Sequence, residues 1–211
     1  MTLVHDSQPR RAVVASAVAV EGGLALVAIA LGWLLGQPAL RHIDWTLRGA
    51  LVGTAGAVPL FVALVLITRY SFGPFSDLEQ VVRQMIMPLF RSCTLLELLL
   101  VSALAGLGEE LLFRGVAQAA LERASGSPWL AVVLAGALFG LAHPITPTYA
   151  VLAGLIGIYL GWLFLASGNL LVPIVTHAAY DFVALVYLLR GAQVPAAIDF
   201  AAQEHGDEWT I

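Results

Sequence analysis

The sequence predicts an all-α fold, a polytopic bundle of transmembrane helices. Two observations carry this. Of its 211 residues, 60% are hydrophobic and only 11% charged, whereas an average soluble domain is about a quarter charged. A soluble chain of this length would expose large apolar patches and aggregate. The apolar residues also gather into six runs, each near the ~20 residues that a helix needs to cross the hydrocarbon.

The first run, 12–35, opens AVVASAVAV and closes LGWLLG. Arg10 and Arg11 ahead of it resemble the head of a signal peptide. The run is too long for a signal core and no small-residue cleavage site follows, so it is expected to stay as a span. The second run is 49–68, GALVGTAGAVPLFVALVLIT, and the third is 93–113, CTLLELLLVSALAGLGEELLF. The fourth to sixth are 128–143, 148–166 and 169–189. Between the second and third lies FSDLEQVVRQMIMPLF, 75–90. Leu78, Val81, Val82, Met85, Ile86 and Leu89 recur there at helical spacing, against Asp77, Glu79, Gln80, Arg83 and Gln84. This reads equally as an amphipathic helix lying at the interface or as an extension of the third span. The tail, 191–211, is polar and acidic and is expected to be weakly ordered, with His205 solvated. The chain as a whole is expected to form one membrane domain.

Paired small residues at four-residue spacing (Gly49 and Gly53, Gly136 and Gly140, Gly157 and Gly161) predict close helix contacts. With six spans both termini share a side. That side collects Arg10, Arg11, Arg69, Arg83, Arg91 and Arg190, against Arg41, Arg48, Arg114 and Arg123 on the other. The small excess favours cytoplasmic termini. A net charge of −4 without a basic run argues against nucleic-acid binding. The one cysteine, Cys93, forms no intrachain disulfide and reads as a small filler.

Three stretches place ionisable groups in or at the edge of the spans: GLGEELLFRG (106–115), FGLAH (139–143) and HAAYD (177–181). A charge at the bilayer centre costs about 2.5–3.5 kcal/mol on insertion scales, so four facing lipid would cost on the order of 10 kcal/mol. They should instead converge on one polar pocket. Glu110 and Arg114 are four apart and share a helix face, so they can pair. Glu109 is rotated from them by roughly 100° and is free to face the pocket. His177 and Asp181 also share a face, and His143 closes the fourth span. Two carboxylates and two imidazoles around buried water suit hydrolysis: a carboxylate takes a proton from water, and an imidazole assists or stabilises an oxyanion. Glu21 and Glu97 also lie near spans and receive no catalytic role.

These residues carry a resemblance. EELLFR resembles the E-E-x-x-x-R motif of the CPBP family, the CAAX-prenyl-protease and bacteriocin-processing membrane proteins also called Abi. FGLAH is similar to its F-x-x-x-H motif through Phe139 and His143, and GNLLVPIVTHAAYD to its third segment. The motifs fall in the family's order over roughly 93–190. The resemblance implies an intramembrane glutamic endopeptidase without a cofactor. In it Glu109 is the general base, aided by His143, and His177 and Asp181 hold the oxyanion. Glu110 and Arg114 support Glu109, and Phe139 shapes the pocket. It further implies a multi-pass protein of a plasma membrane, and with the lysine-free composition a bacterial one, whose partners are lipid and peptide or protein substrates, prenylated or not. One departure is that Asp181 stands where characterised members often carry Asn. Asn can donate to an oxyanion and an ionised Asp cannot, so Asp181 is expected to orient His177 by accepting its N–H.

Other readings stay open. Glu109, His143, His177 and Asp181 are acceptable zinc or manganese ligands, although no H-E-x-x-H occurs. Asp181 and Glu109 could form an aspartyl-type dyad. A proton-coupled transporter also carries buried Glu, Asp and His, and a silent member of the fold would act as a scaffold, for instance in immunity or trafficking. Oligomeric state is not legible.

Overall fold

The computed structural model describes residues 10–70 and 81–191. Among these every regular element is helical: α1 (Arg10–Leu34), a 3₁₀ turn (Ala39–His42), α2 (Leu47–Arg69), a π turn (Val82–Ile86) running into α3 (Met87–Phe90), α4 (Leu95–Glu110), a π segment (Leu111–Gln118), α5 (Ala119–Ser125), α6 (Pro128–Leu141), α7 (Pro147–Ser167) and α8 (Leu171–Gly191). All six predicted runs are helical; five end within a few residues of the bounds expected from hydropathy, and the third runs on past 113 to Ser125.

Local chemistry sets those ends. Thr46, Thr94, Ser127 and Thr146 cap α2, α4, α6 and α7, each side chain accepting a hydrogen bond from a first-turn N–H. Pro128 and Pro147 follow two of them, where the missing N–H costs nothing. Thr94 forms a full capping box with Glu97, whose carboxylate also takes Arg10 at 2.8 Å and so ties the starts of α1 and α4 together. α1 stops at Gly36, held at φ +65°, with Gln37 N–H donating back to Gly32 O at 2.7 Å.

Four helices, α1, α2, α7 and α8, are long and apolar enough to cross a membrane. Their outward residues, such as Leu26, Leu51, Val58 and Val151, are exposed and apolar, as lipid contact requires. Exposed Trp33, Trp45 and Trp129 lie near the end of α1 and the starts of α2 and α6, which share one end of the bundle, an aromatic belt at one interface. The third run reaches a crossing length because α4, the π segment and α5 continue without a break from Leu95 to Ser125. The fourth is shorter than expected. With 14 residues α6 rises about 21 Å, less than the ~30 Å core, so His143 stops at membrane depth.

The choice left open for 75–90 is decided over its described part. Arg91–Thr94 interrupts the helix, so α3 is not an extension of α4. Val81 is buried, and Val82, Ile86 and Phe90 face an internal cavity. Residues 75–80, like the tail 192–211 with His205, lie outside the described residues.

α8 sits at the centre, against α2, α4 and α7, while α6 packs on α7 and α1 on α4. The paired glycines make these approaches. A Cβ on Gly53 would meet Val172 O at 2.7 Å, and one on Gly136 would meet Ile158 N at 2.7 Å. Gly106 rests on the α8 backbone at Ile174 O, and Gly108 on the α1 backbone at Glu21 O, which would lie 2.5 Å from an added Cβ. Glu109 therefore follows directly on two close backbone contacts, with α8 at Gly106 and with α1 at Gly108.

Candidate active site

A cavity of 640 Å³ opens between α2, α3, α4, α7 and α8. Most of its wall is apolar. The polar lining is Glu21, Ser102, Glu109, His143, His177 and Asp181, together with the hydroxyls of Tyr149, Tyr159 and Tyr180. Of the sequence-predicted groups, Glu109, Phe139, His143, His177 and Asp181 line this space, while Glu110 and Arg114 are buried outside its lining.

The change from α to π geometry at Leu111 organises the deep side. Widened turns of this kind recur at functional sites. Here the π segment turns Arg114 and Gln118 onto α7. Arg114 is fully buried, donating from Nη1 to Glu110 Oε1 at 2.8 Å and from Nη2 to Gly157 O at 2.7 Å, with its guanidinium 4.7 Å from the Phe139 ring centre. Gln118 donates to Gly161 O at 3.2 Å, and a Cβ on Gly161 would crowd the Gln118 amide oxygen at 2.7 Å. Glu110 is equally buried and is bound twice, since its Oε1 also lies 2.8 Å from His177 Nδ1. A buried charge is tolerated when paired in this way.

Glu109 differs from its neighbour. Its side chain keeps 13% exposure, lines the cavity, and its Oε2 has no hydrogen-bond partner. The closest basic group is His143 Nε2, 3.8 Å away. His143 Nδ1 lies 2.8 Å from Phe139 O. A carbonyl can only accept, so Nδ1 carries a proton, which in a neutral ring leaves the Nε2 lone pair toward Glu109. Phe139 holds the two imidazoles apart, with ring centres 4.6 Å from His143 and 5.9 Å from His177.

His177 sits between two carboxylates. Glu110 takes Nδ1, and Asp181 Oδ2 lies 3.4 Å from Nε2. Asp181 stands where it was expected to orient this ring, and a second carboxylate, Glu110, 67 positions away, makes the shorter, buried bond to the opposite nitrogen. Glu110 accordingly serves both Arg114 and His177 rather than supporting Glu109 alone.

The donors named for a metal do not converge. Among the described residues no three His, Cys, Asp or Glu side chains stand close enough to hold one ion.

Three groups of contributors escaped the sequence reading. Glu21 of α1, set aside there, lines the cavity with a buried Oε2. A carboxylate inside a span was the available signal. Ser102 lies two turns before Glu109 on the same face of α4, a relation readable from spacing. Tyr149 and Tyr180 bring phenols that hydropathy does not distinguish from packing residues.

A family model described as type II CAAX prenyl endopeptidase Rce1-like matches residues 79–183. No curated protein and no solved structure matches the chain. The matched segment holds every polar cavity residue named above except Glu21, and through it the chain belongs to this family.

Proposed function

We propose that this member of the Rce1-like family is an intramembrane endopeptidase in which Glu109 and His143 activate one water between them. The observation that carries the reading is the pairing of two acceptors, Glu109 Oε2 and His143 Nε2, across 3.8 Å at a cavity wall. Two acceptors that face each other leave a place for a donor. A water that gives one proton to each has its lone pair turned to the cavity, where a peptide carbonyl can lie.

The reaction then follows. The water oxygen attacks the carbonyl carbon while one water proton passes to Glu109, and the carbonyl π electrons move onto oxygen. His177 Nε2 donates to that oxyanion. Its other nitrogen is already committed to Glu110, and Asp181 favours a proton on Nε2, which supplies the donor that an Asn at 181 would otherwise provide. When the intermediate collapses the C–N bond breaks and Glu109 returns its proton to the leaving amine. The products are a carboxylic acid and an amine, with no oxidant or cofactor consumed.

The substrate side is apolar. A 640 Å³ cavity lies within the usual ligand-pocket range and its walls suit the apolar stretch of a membrane-associated peptide or a prenyl chain. The expected setting is a bacterial plasma membrane.

The test is cleavage of farnesylated and unmodified membrane peptides by the purified protein in nanodiscs, with Glu109→Gln and His143→Ala alongside. Cleavage by the wild type and its loss in both variants is expected. Undiminished cleavage by Glu109→Gln removes the base. A chain that cleaves nothing but retains its cellular effect as Glu109→Gln is a scaffold.

A further inference from the structure

Four carboxylates stand around the polar part of the cavity, and three have a basic neighbour. Glu110 holds Arg114 and His177 Nδ1, Asp181 lies 3.4 Å from His177 Nε2, and Glu109 lies 3.8 Å from His143 Nε2. Glu21 has none. Its Oε2 is buried in the wall of the same cavity without a hydrogen-bond partner. Arg114, fully buried and outside the cavity lining, is already spent on Glu110 and Gly157 O.

Glu21 is firmly placed. Its carbonyl lies against Gly108, so α1 touches α4 one residue before Glu109. Its carboxyl shares the polar part of the cavity with His177, Asp181 and Glu109, along the stretch that α4 lines. A second unsatisfied group lies on that stretch. Ser102 is 1% exposed and lines the cavity, and its buried hydroxyl has no hydrogen-bond partner among the described residues. It stands about 10 Å along α4 from Glu109. Buried polar groups without partners are rare, and each calls for an explanation. A lone carboxylate at membrane depth is costlier still. For these two groups the absent partner fits one description: a ligand that brings a positive charge and polar main-chain groups into an apolar channel.

We infer that Glu21 selects substrates carrying a lysine or arginine side chain beside the scissile bond, with Ser102 bonding the main chain of the same extended segment about three residues further on. This rests on the endopeptidase reading above and gives it a specificity. α1 lies outside the segment that matches the family, so the selectivity belongs to this chain's own first helix.

The test uses short fluorescent farnesylated peptides in which a single lysine, or its neutral isostere norleucine, is moved one position at a time. kcat/KM is measured on the wild type and Kd on the Glu109→Gln protein, both in nanodiscs. At one position lysine should be favoured by about tenfold or more, as for a desolvated charge pair. Glu21→Gln should remove the preference and Glu21→Lys should transfer it to glutamate. Equal values for lysine and norleucine at every position of the wild type overturn the inference, whether or not the variants fold. If the wild type cleaves none of the peptides the endopeptidase reading falls, and the Kd pairs still decide Glu21: a lysine preference supports it and equal affinities overturn it.

Discussion

Replacing Arg114 by Met tests how far the site depends on its buried charge network. Arg114 and Glu110 are both fully buried, 2.8 Å apart, and Arg114 also reaches Gly157 O at 2.7 Å. Met fills much of the same volume without the charge, so the effect reports electrostatics more than packing. Removing one member of a buried pair costs about 3–5 kcal/mol, because the other charge remains without compensation. Glu110 keeps His177, which places Arg114→Met at about 3 kcal/mol, and Glu110→Gln, which strands the arginine, at about 4 kcal/mol. The double variant removes both charges and should be less destabilised than the two losses together by about 2 kcal/mol or more. Unfolding in mixed SDS micelles, followed by the fluorescence of the five tryptophans, measures all three. Single losses below about 1 kcal/mol, or losses that simply add, would refute the view that these residues form one neutralised unit.

Four further outcomes follow, three at glycines and one on metal removal. Gly136→Ala sets a Cβ 2.5 Å from Ile158 Cγ1 and 2.7 Å from Ile158 N, and should cost about 1–3 kcal/mol in the same assay. Gly22→Ala has nothing within 4 Å and should instead stabilise α1 by about 0.5–1 kcal/mol. Gly108→Ala drives a Cβ to 2.5 Å from the Glu21 carbonyl. It should lower peptide cleavage by at least about tenfold, since a shift of an ångström at the adjacent Glu109 is enough. A zinc chelator should leave cleavage unchanged, and loss of cleavage restored by added zinc would favour the metal reading of Glu109, His143, His177 and Asp181.

Much of the architecture is legible in the sequence because lipid imposes it. Helices in a bilayer must be apolar over their length, so the six runs mark themselves, and Thr46, Thr94, Ser127 and Thr146 mark four starts. The Glu110–Arg114 pair follows from spacing alone, and the pairing persists through the change to π geometry. What spacing cannot show is which faces of separate helices meet. His177 bonds Glu110 across 67 residues, and Glu21 reaches the cavity through a contact between α1 and α4 that depends on Gly108 having no side chain. The π segment itself is equally hidden, since LLFRGVAQ is compatible with an ordinary helix and the bonds of Arg114 and Gln118 to α7 join residues 43 apart.

The central claim is that Glu109 and His143 act on the same water. Single-turnover cleavage by the wild type, Glu109→Gln, His143→Ala and the double variant tests it most directly. Loss of the base should slow the step by about 10²–10⁴-fold, and the double variant should be no slower than the worse single one, because groups that work as a unit are lost together. Losses that multiply in the double variant, or a Glu109→Gln protein as fast as the wild type, would contradict it.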